Sequence, residues 1–529
     1  MMPPIGQHPD SPPTSAAALA AAPKRSGHGL GGALIACYLA ALILPPAFLA
    51  IKGPVPAGDF LKQVALGFGL SGLAIVATSF ILAARYRWLT RPFGLDAVML
   101  FHRRMAIAGF LAIVLHVAIL SYLNIHLLTK LWIPWPLELG RIAGLLLAAQ
   151  IIVSIFRTRL GVEFEKWRKS HWIVAAGVLL FASCHGFFVS RGFAPWPLRV
   201  VIIGLLIGAL WSLVSNRWSR IGRSRRHRYQ VHEIQEINQA LWQIHLRPAA
   251  GSPALRYHPG QFAFFHFHRP GDRPAGEEHV WTIASSPTES AGLMLAVKEL
   301  GDFTRTMRRT RVADEVRVHG AFGRFSHRLH DESGDLVFIA AGIGITPFRS
   351  MIRWMIDRGE NRKVLLLFAN RTAGDIPFFN ELADYQNRSG GGLRVIHVLS
   401  RADAQWPGER GHINIDIIRK HCGGDLDGKS FWICGPKAFA GGMISALSSA
   451  GVAPARIHNE AFCLVHAPVP ADGRGKSLKA ICAAMWIAMV LAVLFGALAR
   501  TDFLTAHPPQ PMHGPLPRLS GAHRPLNYN

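Results

Sequence analysis

Seven long apolar runs punctuate the chain. Six are crowded into its first two-fifths: Leu30 to Ile51, Val64 to Ala84, Met105 to Leu127, Leu137 to Phe156, Trp172 to Val189 and Leu198 to Val214. The seventh, Ala480 to Ala499, stands near the carboxyl end. Each is about the 17 to 25 residues that a helix needs to cross the hydrocarbon of a bilayer.

Between the sixth and seventh runs the pattern changes. From Tyr229 to about Phe325 short alternations, as in Trp242 to Leu246 and Phe262 to Phe267, predict an antiparallel β-barrel. From Asp335 a buried strand (LVFIAA) leads into a glycine turn and a helix, and strands recur at Val364 to Phe368, Leu393 to Leu399 and Ser430 to Cys434. Strands alternating with helical stretches predict an α/β doubly wound sheet. The expected organisation is a disordered segment over 1–29, a six-helix transmembrane domain over 30–217 and a barrel over 225–330. An α/β domain over 333–465, an extra transmembrane helix over 478–500 and a Pro- and His-containing tail over 501–529 complete it. The first residues lack the charged start and cleavage site of a secretory signal.

The formal net charge of +25 raises the question of nucleic acid. Lys and Arg, however, gather at the ends of the apolar runs, so a bilayer accounts for the charge and no nucleic-acid partner is expected. Arg85, Arg87, Arg91, Arg103 and Arg104 follow the second run, Arg157, Arg159, Lys166, Arg168 and Lys169 the fourth, and Arg217 to Arg228 the sixth. The intervening loops carry only Lys52 and Lys62, then Lys130, then Arg191 and Arg199. The positive-inside rule therefore puts the amino terminus and everything between Val214 and the last helix in the cytoplasm, making this a multi-pass cell-membrane protein. Six scattered cysteines without C-x-x-C spacing argue against a disulfide framework, a zinc site or an iron–sulfur cluster.

Four histidines fall in the apolar region as two pairs, His102 with His116 and His171 with His185, each fourteen residues apart. Fourteen steps of 100° come close to whole turns, so each pair shares one helix face with its members roughly 21 Å apart along the axis. The third and fifth runs point the same way, so His102 comes level with His171 and His116 with His185. Two stacked bis-imidazole sites, as two b-type hemes require, follow from that register. A single intramembrane histidine is as well explained by a helix–helix hydrogen bond; two matched pairs are not.

The soluble part carries further candidates. His279-Val280-Trp281-Thr282-Ile283-Ala284-Ser285 is a strand ending in hydroxyls and main-chain donors that can hold a flavin. Lys298 precedes the turn Gly301-Asp302-Phe303-Thr304, which suits a diphosphate. Gly342-Ile343-Gly344-Ile345-Thr346-Pro347 lies between a buried strand and a helix, where backbone can approach a pyrophosphate. Cys434-Gly435-Pro436 ends another strand at the edge where open sheets bind ligands; a buried structural cysteine is the alternative. Ser400-Arg401 can hold a 2′-phosphate, although a surface Ser-Arg serves NADH users too.

Taken together these residues resemble the ferric reductase and NADPH oxidase family of transmembrane flavocytochromes, over roughly residues 60 to 465. The resemblance implies heme ligands at His102, His116, His171 and His185. It implies FAD contacts at His279, Thr282, Ser285 and Lys298, and Trp281, Gly301 and Thr304 beside them are further cofactor-binding candidates. It implies NAD(P)H contacts at Gly342, Gly344, Thr346, Pro347, Cys434, Gly435 and Pro436, and Ser400 and Arg401 are further cofactor-binding candidates. Glu460 and Phe462 resemble the family's closing acidic–aromatic motif, whose ring covers the flavin until nicotinamide displaces it. In the family that aromatic residue is usually near the carboxyl terminus, whereas here the chain runs on into a seventh apolar run. The expected function is transfer of electrons from cytoplasmic NAD(P)H through FAD and two hemes to oxygen or ferric iron on the opposite side. The alternative is a cytochrome subunit serving quinone or a partner protein.

Overall fold

The computed structural model describes residues 27–49, 56–124, 133–189, 196–238, 240–269, 277–290, 292–301, 303–330, 334–460 and 474–500. Most of the amino-terminal segment, the tail over 501–529 and Phe462 lie outside the described residues.

The chain opens with helices α1 (Gly27–Ala47), α2 (Phe60–Ala83), the short α3 (Arg87–Phe93), α4 (Leu95–Leu123), α5 (Trp135–Phe156), α6 (Phe164–Val189) and α7 (Trp196–Arg226). The last described helix is Arg474–Arg500. Seven of the described helices are long and apolar enough to span a bilayer, which makes this a multi-pass membrane protein. Several extend beyond the apolar runs: α4 starts at Leu95 rather than Met105, α6 at Phe164 rather than Trp172, and α7 continues past Val214. Hydropathy marks only the part of a helix that suits lipid, whereas backbone hydrogen bonding continues into turns whose arginines reach water. The extension brings His102 and His171 into regular helix, so both fourteen-residue pairs are helical throughout.

Helix α2 packs against α1, α4, α7 and the carboxyl-terminal helix. Met485, Met489, Val493 and Ala497 of that last helix, four residues apart, form one buried stripe against Tyr38 and Leu42 of α1 and Val64, Phe68 and Ile75 of α2. The extra helix is thus built into the bundle.

Strands β1 (Arg228–Asn238), β2 (Leu241–Pro248), β3 (Phe262–His268), β4 (Glu278–Thr282), β5 (Leu293–Lys298) and β6 (Glu315–Phe322) make an antiparallel sheet ordered β4-β3-β6-β1-β2-β5. It is strongly curled: Trp281 of β4 and Leu295 of β5, from opposite edges, share one core. No ladder joins β4 to β5 among the described residues, so the expected barrel is a curled open sheet there.

Strands β7 (Leu336–Ala341), β8 (Val364–Asn370), β9 (Leu393–Leu399), β10 (Glu409–Arg410), β11 (Ser430–Cys434) and β12 (Ile457–Glu460) make a wholly parallel sheet ordered β10-β9-β8-β7-β11-β12. Helices α8 (Thr346–Asp357), α9 (Phe379–Arg388), α10 (Ile415–Cys422) and α11 (Lys437–Ser449) connect its strands. Separate apolar cores lie on its two faces, one including Phe338 and Phe368, the other Ile339 and Phe431. Those neighbours point to opposite sides because strand side chains alternate.

Two junctions fix the three parts to one another. Between bundle and antiparallel sheet, Leu95 at the start of α4 is buried among Phe262, Phe264 and Phe322. The Arg85 guanidinium lies 3.9 Å from the Phe264 ring centre, and Arg85 and Arg168 both pair with Glu278, at 3.1 and 3.6 Å. Arg87 donates to the Gly320 carbonyl. Between the two sheets, Arg349 of α8 is 4% exposed. Its guanidinium donates to the Ala284 carbonyl at 2.8 Å and pairs with Glu289 on one side and Glu381 on the other.

Arg349→Met keeps the apolar stem but leaves Glu289 and Glu381 without their shared counter-charge. The expected loss is about 2 kcal/mol, the scale of hydrogen bonds to charged groups, read in a thermal melt of the full-length protein. An unchanged melting temperature would show that desolvation of the clamp cancels its attraction.

Candidate functional site

The outer histidines meet face to edge: the His116 and His185 ring centres are 6.5 Å apart at an interplanar angle of 73°. Two imidazoles on opposite sides of one ion, each bound at about 2 Å, place their ring centres roughly 6 Å apart. Each ring is also oriented from behind. His116 Nδ1 donates to the Ala65 carbonyl at 2.7 Å and His185 Nδ1 to the Pro136 carbonyl at 2.8 Å. A carbonyl only accepts, so Nδ1 carries the proton and Nε2 is the nitrogen left with a lone pair for metal.

The inner pair is His102 of α4 and His171 of α6. His171 Nδ1 is 3.4 Å from the Ser154 hydroxyl, its ring centre 4.9 Å from that of Trp167, and its carbonyl accepts from Gln150. His102 Nδ1 is buried without a hydrogen-bond partner among the described residues. Among the described residues no group of three or more His, Cys, Asp or Glu gathers as a metal site, so the histidine pairs are the metal-ligand candidates. Donor type, spacing and oriented lone pairs all fit b-type heme.

The flavin candidates divide between the two faces of β4, because neighbouring strand residues point opposite ways. His279 and Trp281 share one face, where the His279 ring stacks 3.6 Å from Phe303 and its Nε2 meets Glu277 at 3.1 Å. Thr282 is on the other face, paired with Phe262 in the register of β3 and β4. It therefore belongs to the side that meets α4. Its hydroxyl is buried with no partner among the described residues, which the polar edge of an isoalloxazine would relieve. The Ser285 hydroxyl is already engaged, with Tyr257 at 2.9 Å and the Met294 N–H at 3.0 Å. Thr304 accepts from the Leu300 and Gly301 N–H groups, both at 2.9 Å, which closes the turn after the exposed Lys298.

The nicotinamide candidates converge at the carboxyl edge of the parallel sheet. Gly342 adopts φ +54°, a left-handed conformation that favours glycine, and a side chain at Gly344 would come within 2.3 Å of the Cys434 carbonyl. Thr346 donates to the Ile343 carbonyl at 3.1 Å, and Pro347 starts α8 where its missing N–H costs nothing. Cys434 pairs with Glu460 in the register of β11 and β12, with Gly435 and Pro436 following directly. Ser400 and Arg401 sit at the end of β9, two strand spacings or roughly 10 Å from β7, a separation that a dinucleotide spans. The Arg401 N–H bonds to the Arg371 carbonyl at 2.8 Å, so two arginines stand together there.

Burial, and then Glu460, hold the Cys434 thiol well above its usual range, so it is a thiol and not a thiolate. Burial, with Asp96 of α4 nearby, likewise raises the Glu460 carboxyl well above its ordinary value. Glu460 also nears the antiparallel sheet, since a side chain at Gly323 would lie 3.9 Å from its carboxyl oxygen and 3.0 Å from the Phe262 ring. Gly344, Cys434, Glu460, Gly323, Phe262 and Thr282 thus form one continuous path between the two sheets. The junction residues Arg85, Glu278, Phe264 and Arg349 carry no local motif and were not evident in the sequence.

Residues 68–182 match the family described as ferric reductase like transmembrane component, and residues 338–444 match the oxidoreductase NAD-binding domain. Both parts of the resemblance to ferric reductases and NADPH oxidases are therefore present in one chain. The chain is 26% identical over 228 residues to the glycine betaine monooxygenase reductase subunit of Pseudomonas aeruginosa, covering 42% of this chain and 61% of that one. It is 29% identical over 207 residues to the reductase component of a phenol 2-monooxygenase from a Pseudomonas species, covering 38% and 56%. It thus spans about three-fifths of the length of these relatives. The flavohemoglobin-like FAD/NAD binding domain of nitric oxide dioxygenase from Vibrio cholerae aligns at 22% identity and TM-score 0.39, over 44% of this chain and 97% of that one.

Thr282→Val removes the unsatisfied hydroxyl at nearly constant volume. Stability without flavin should stay level or rise, while FAD affinity, measured by flavin fluorescence, should fall about tenfold, the equivalent of one hydrogen bond. Unchanged affinity would place the flavin elsewhere.

Proposed function

We propose that this chain, which joins a ferric-reductase-like transmembrane component to an oxidoreductase NAD-binding domain, draws electrons from NAD(P)H on its arginine-rich side and delivers them across the membrane to oxygen or ferric iron. The observation that carries this reading is the face-to-edge approach of His116 and His185 at 6.5 Å, each ring held by a backbone carbonyl. FAD supplies the change from two-electron hydride to single electrons, and two b-type hemes supply one-electron carriers.

The chain's own residues then have distinct tasks. The turn from Gly342 to Pro347 and the edge at Cys434, Gly435 and Pro436 bind and orient the dinucleotide. Thr282 and the aromatic layer of Phe262, Phe264 and Phe322 exclude water where the antiparallel sheet meets α4. Glu460, buried and in register with Cys434, lines that junction on the parallel-sheet side. The pairings of Glu278 with Arg85 and Arg168 hold the sheet against the helix ends that carry His102 and His171. The positive-inside rule makes that side cytoplasmic. Phe462, as the ring covering the flavin, belongs to the same reading. The two adjacent arginines at 371 and 401 support NADPH as the donor.

Purified protein is expected to show a low-spin b-type spectrum that NAD(P)H reduces only when flavin is present. Replacing both His116 and His185 with alanine should remove half of the heme; full heme content in that variant sinks the assignment. Superoxide yield against ferrous yield in sealed vesicles separates the two acceptors. Arg401→Ala should raise KM for NADPH about tenfold and leave NADH unaffected, as loss of a charge-assisted hydrogen bond requires.

A further inference from the structure

Ala65 and Gly69 of α2 lie four residues apart, on one face and one turn from each other, and Pro136 and Gly140 of α5 repeat the same spacing. The carbonyl of the first residue in each pair accepts from a histidine Nδ1. The glycine of each pair lies close against that same ring. A side chain at Gly69 would come within 2.8 Å of His116 Nδ1, and one at Gly140 within 2.8 Å of both Nδ1 and Cε1 of His185. The same device therefore occurs twice, on α2 facing α4 and on α5 facing α6. Among the described residues the inner histidines lack it: His171 has a long 3.4 Å contact to Ser154, and His102 Nδ1 has no partner there.

We infer that Gly69 and Gly140 are positioning residues that tune the outer iron site and leave the inner site untouched. The inference rests on the reading that His116 and His185 hold a heme. Each glycine lets the imidazole approach the helix backbone closely enough for a short Nδ1–H to carbonyl hydrogen bond. That bond fixes the ring's orientation and makes Nε2 a stronger base. A more basic ligand favours the ferric state, so the paired cradles lower the reduction potential of the outer site. A methyl group at either glycine pushes the ring away and breaks the bond.

The test is a potentiometric titration of the full-length protein in detergent, following the heme absorbance of wild type, Gly69→Ala, Gly140→Ala and Gly144→Ala. Gly144 is one turn from Gly140 on α5, but a side chain there meets nothing within 4 Å, so Gly144→Ala controls for an added methyl group. The His116→Ala/His185→Ala variant identifies the outer component by its disappearance. Gly69→Ala and Gly140→Ala should each shift the outer component to higher potential or lose that heme alone, with the inner component as an internal check on folding. Gly144→Ala should match wild type. Wild-type potentials for both components in Gly69→Ala and Gly140→Ala would overturn the inference while leaving the proposed function standing, as would equal shifts of both components. Wild-type protein without heme would overturn the reading beneath it.

Discussion

Glu278 is where the soluble and membrane parts of this protein are held in register. It stands one residue before His279, at the start of β4, and pairs with Arg85 from the turn after α2 and Arg168 from the first turns of α6. Arg85 also covers the Phe264 ring, so the ion pair and the apolar contact around Leu95 are parts of one junction. The side chains of Arg85 and Glu278 are 18% and 13% exposed, which limits screening by salt and makes the pairing more than a solvated surface contact. Arg168 lies one turn from His171, and Leu95 lies on the same helix as His102. The distance between β4 and the inner histidines is therefore set by this junction.

The second sheet depends on the first in the same way. Arg349 ties α8, which begins at the glycine turn of β7, to the end of β4 through the Ala284 carbonyl and Glu289. A buried guanidinium satisfied from both sides resists sliding, because any shift leaves charge unpaired. The path from Gly344 through Cys434 and Glu460 to Phe262 and Thr282 is continuous for that reason. The raised Glu460 carboxyl follows from burial, and then from Asp96 at the start of α4.

Within the bundle, positions are set by backbone contacts. Carbonyls of Ala65 and Pro136 define which histidine nitrogen faces the space between α4 and α6. The carboxyl-terminal helix contributes packing to α1 and α2 through its methionine and valine stripe, away from those histidines. A segment that follows the soluble domains in the chain thus completes the packing around α1 and α2.

Much of this was legible in the sequence because it depends on local periodicity. Apolar runs gave the seven spanning helices, fourteen-residue spacing put His102 and His116 on one face and His171 and His185 on another, and strand–turn–helix order located Gly342 to Pro347. The limits of α4 and α6 were not legible, since hydropathy reports contact with lipid whereas a helix ends where its hydrogen bonding ends. Nor was the open curl of the antiparallel sheet, which depends on pairing between distant strands. Tertiary structure alone decided that Arg85 and Arg168 meet Glu278 and that Arg349 bridges two sheets. It also decided that Ser285 is spent on Tyr257, and that Gly69 and Gly140 lie against histidines far along the chain. Each of these joins residues separated by dozens to hundreds of positions, and no local propensity encodes such a meeting. The types of residue available for chemistry are a property of the sequence; which of them share a site is a property of packing.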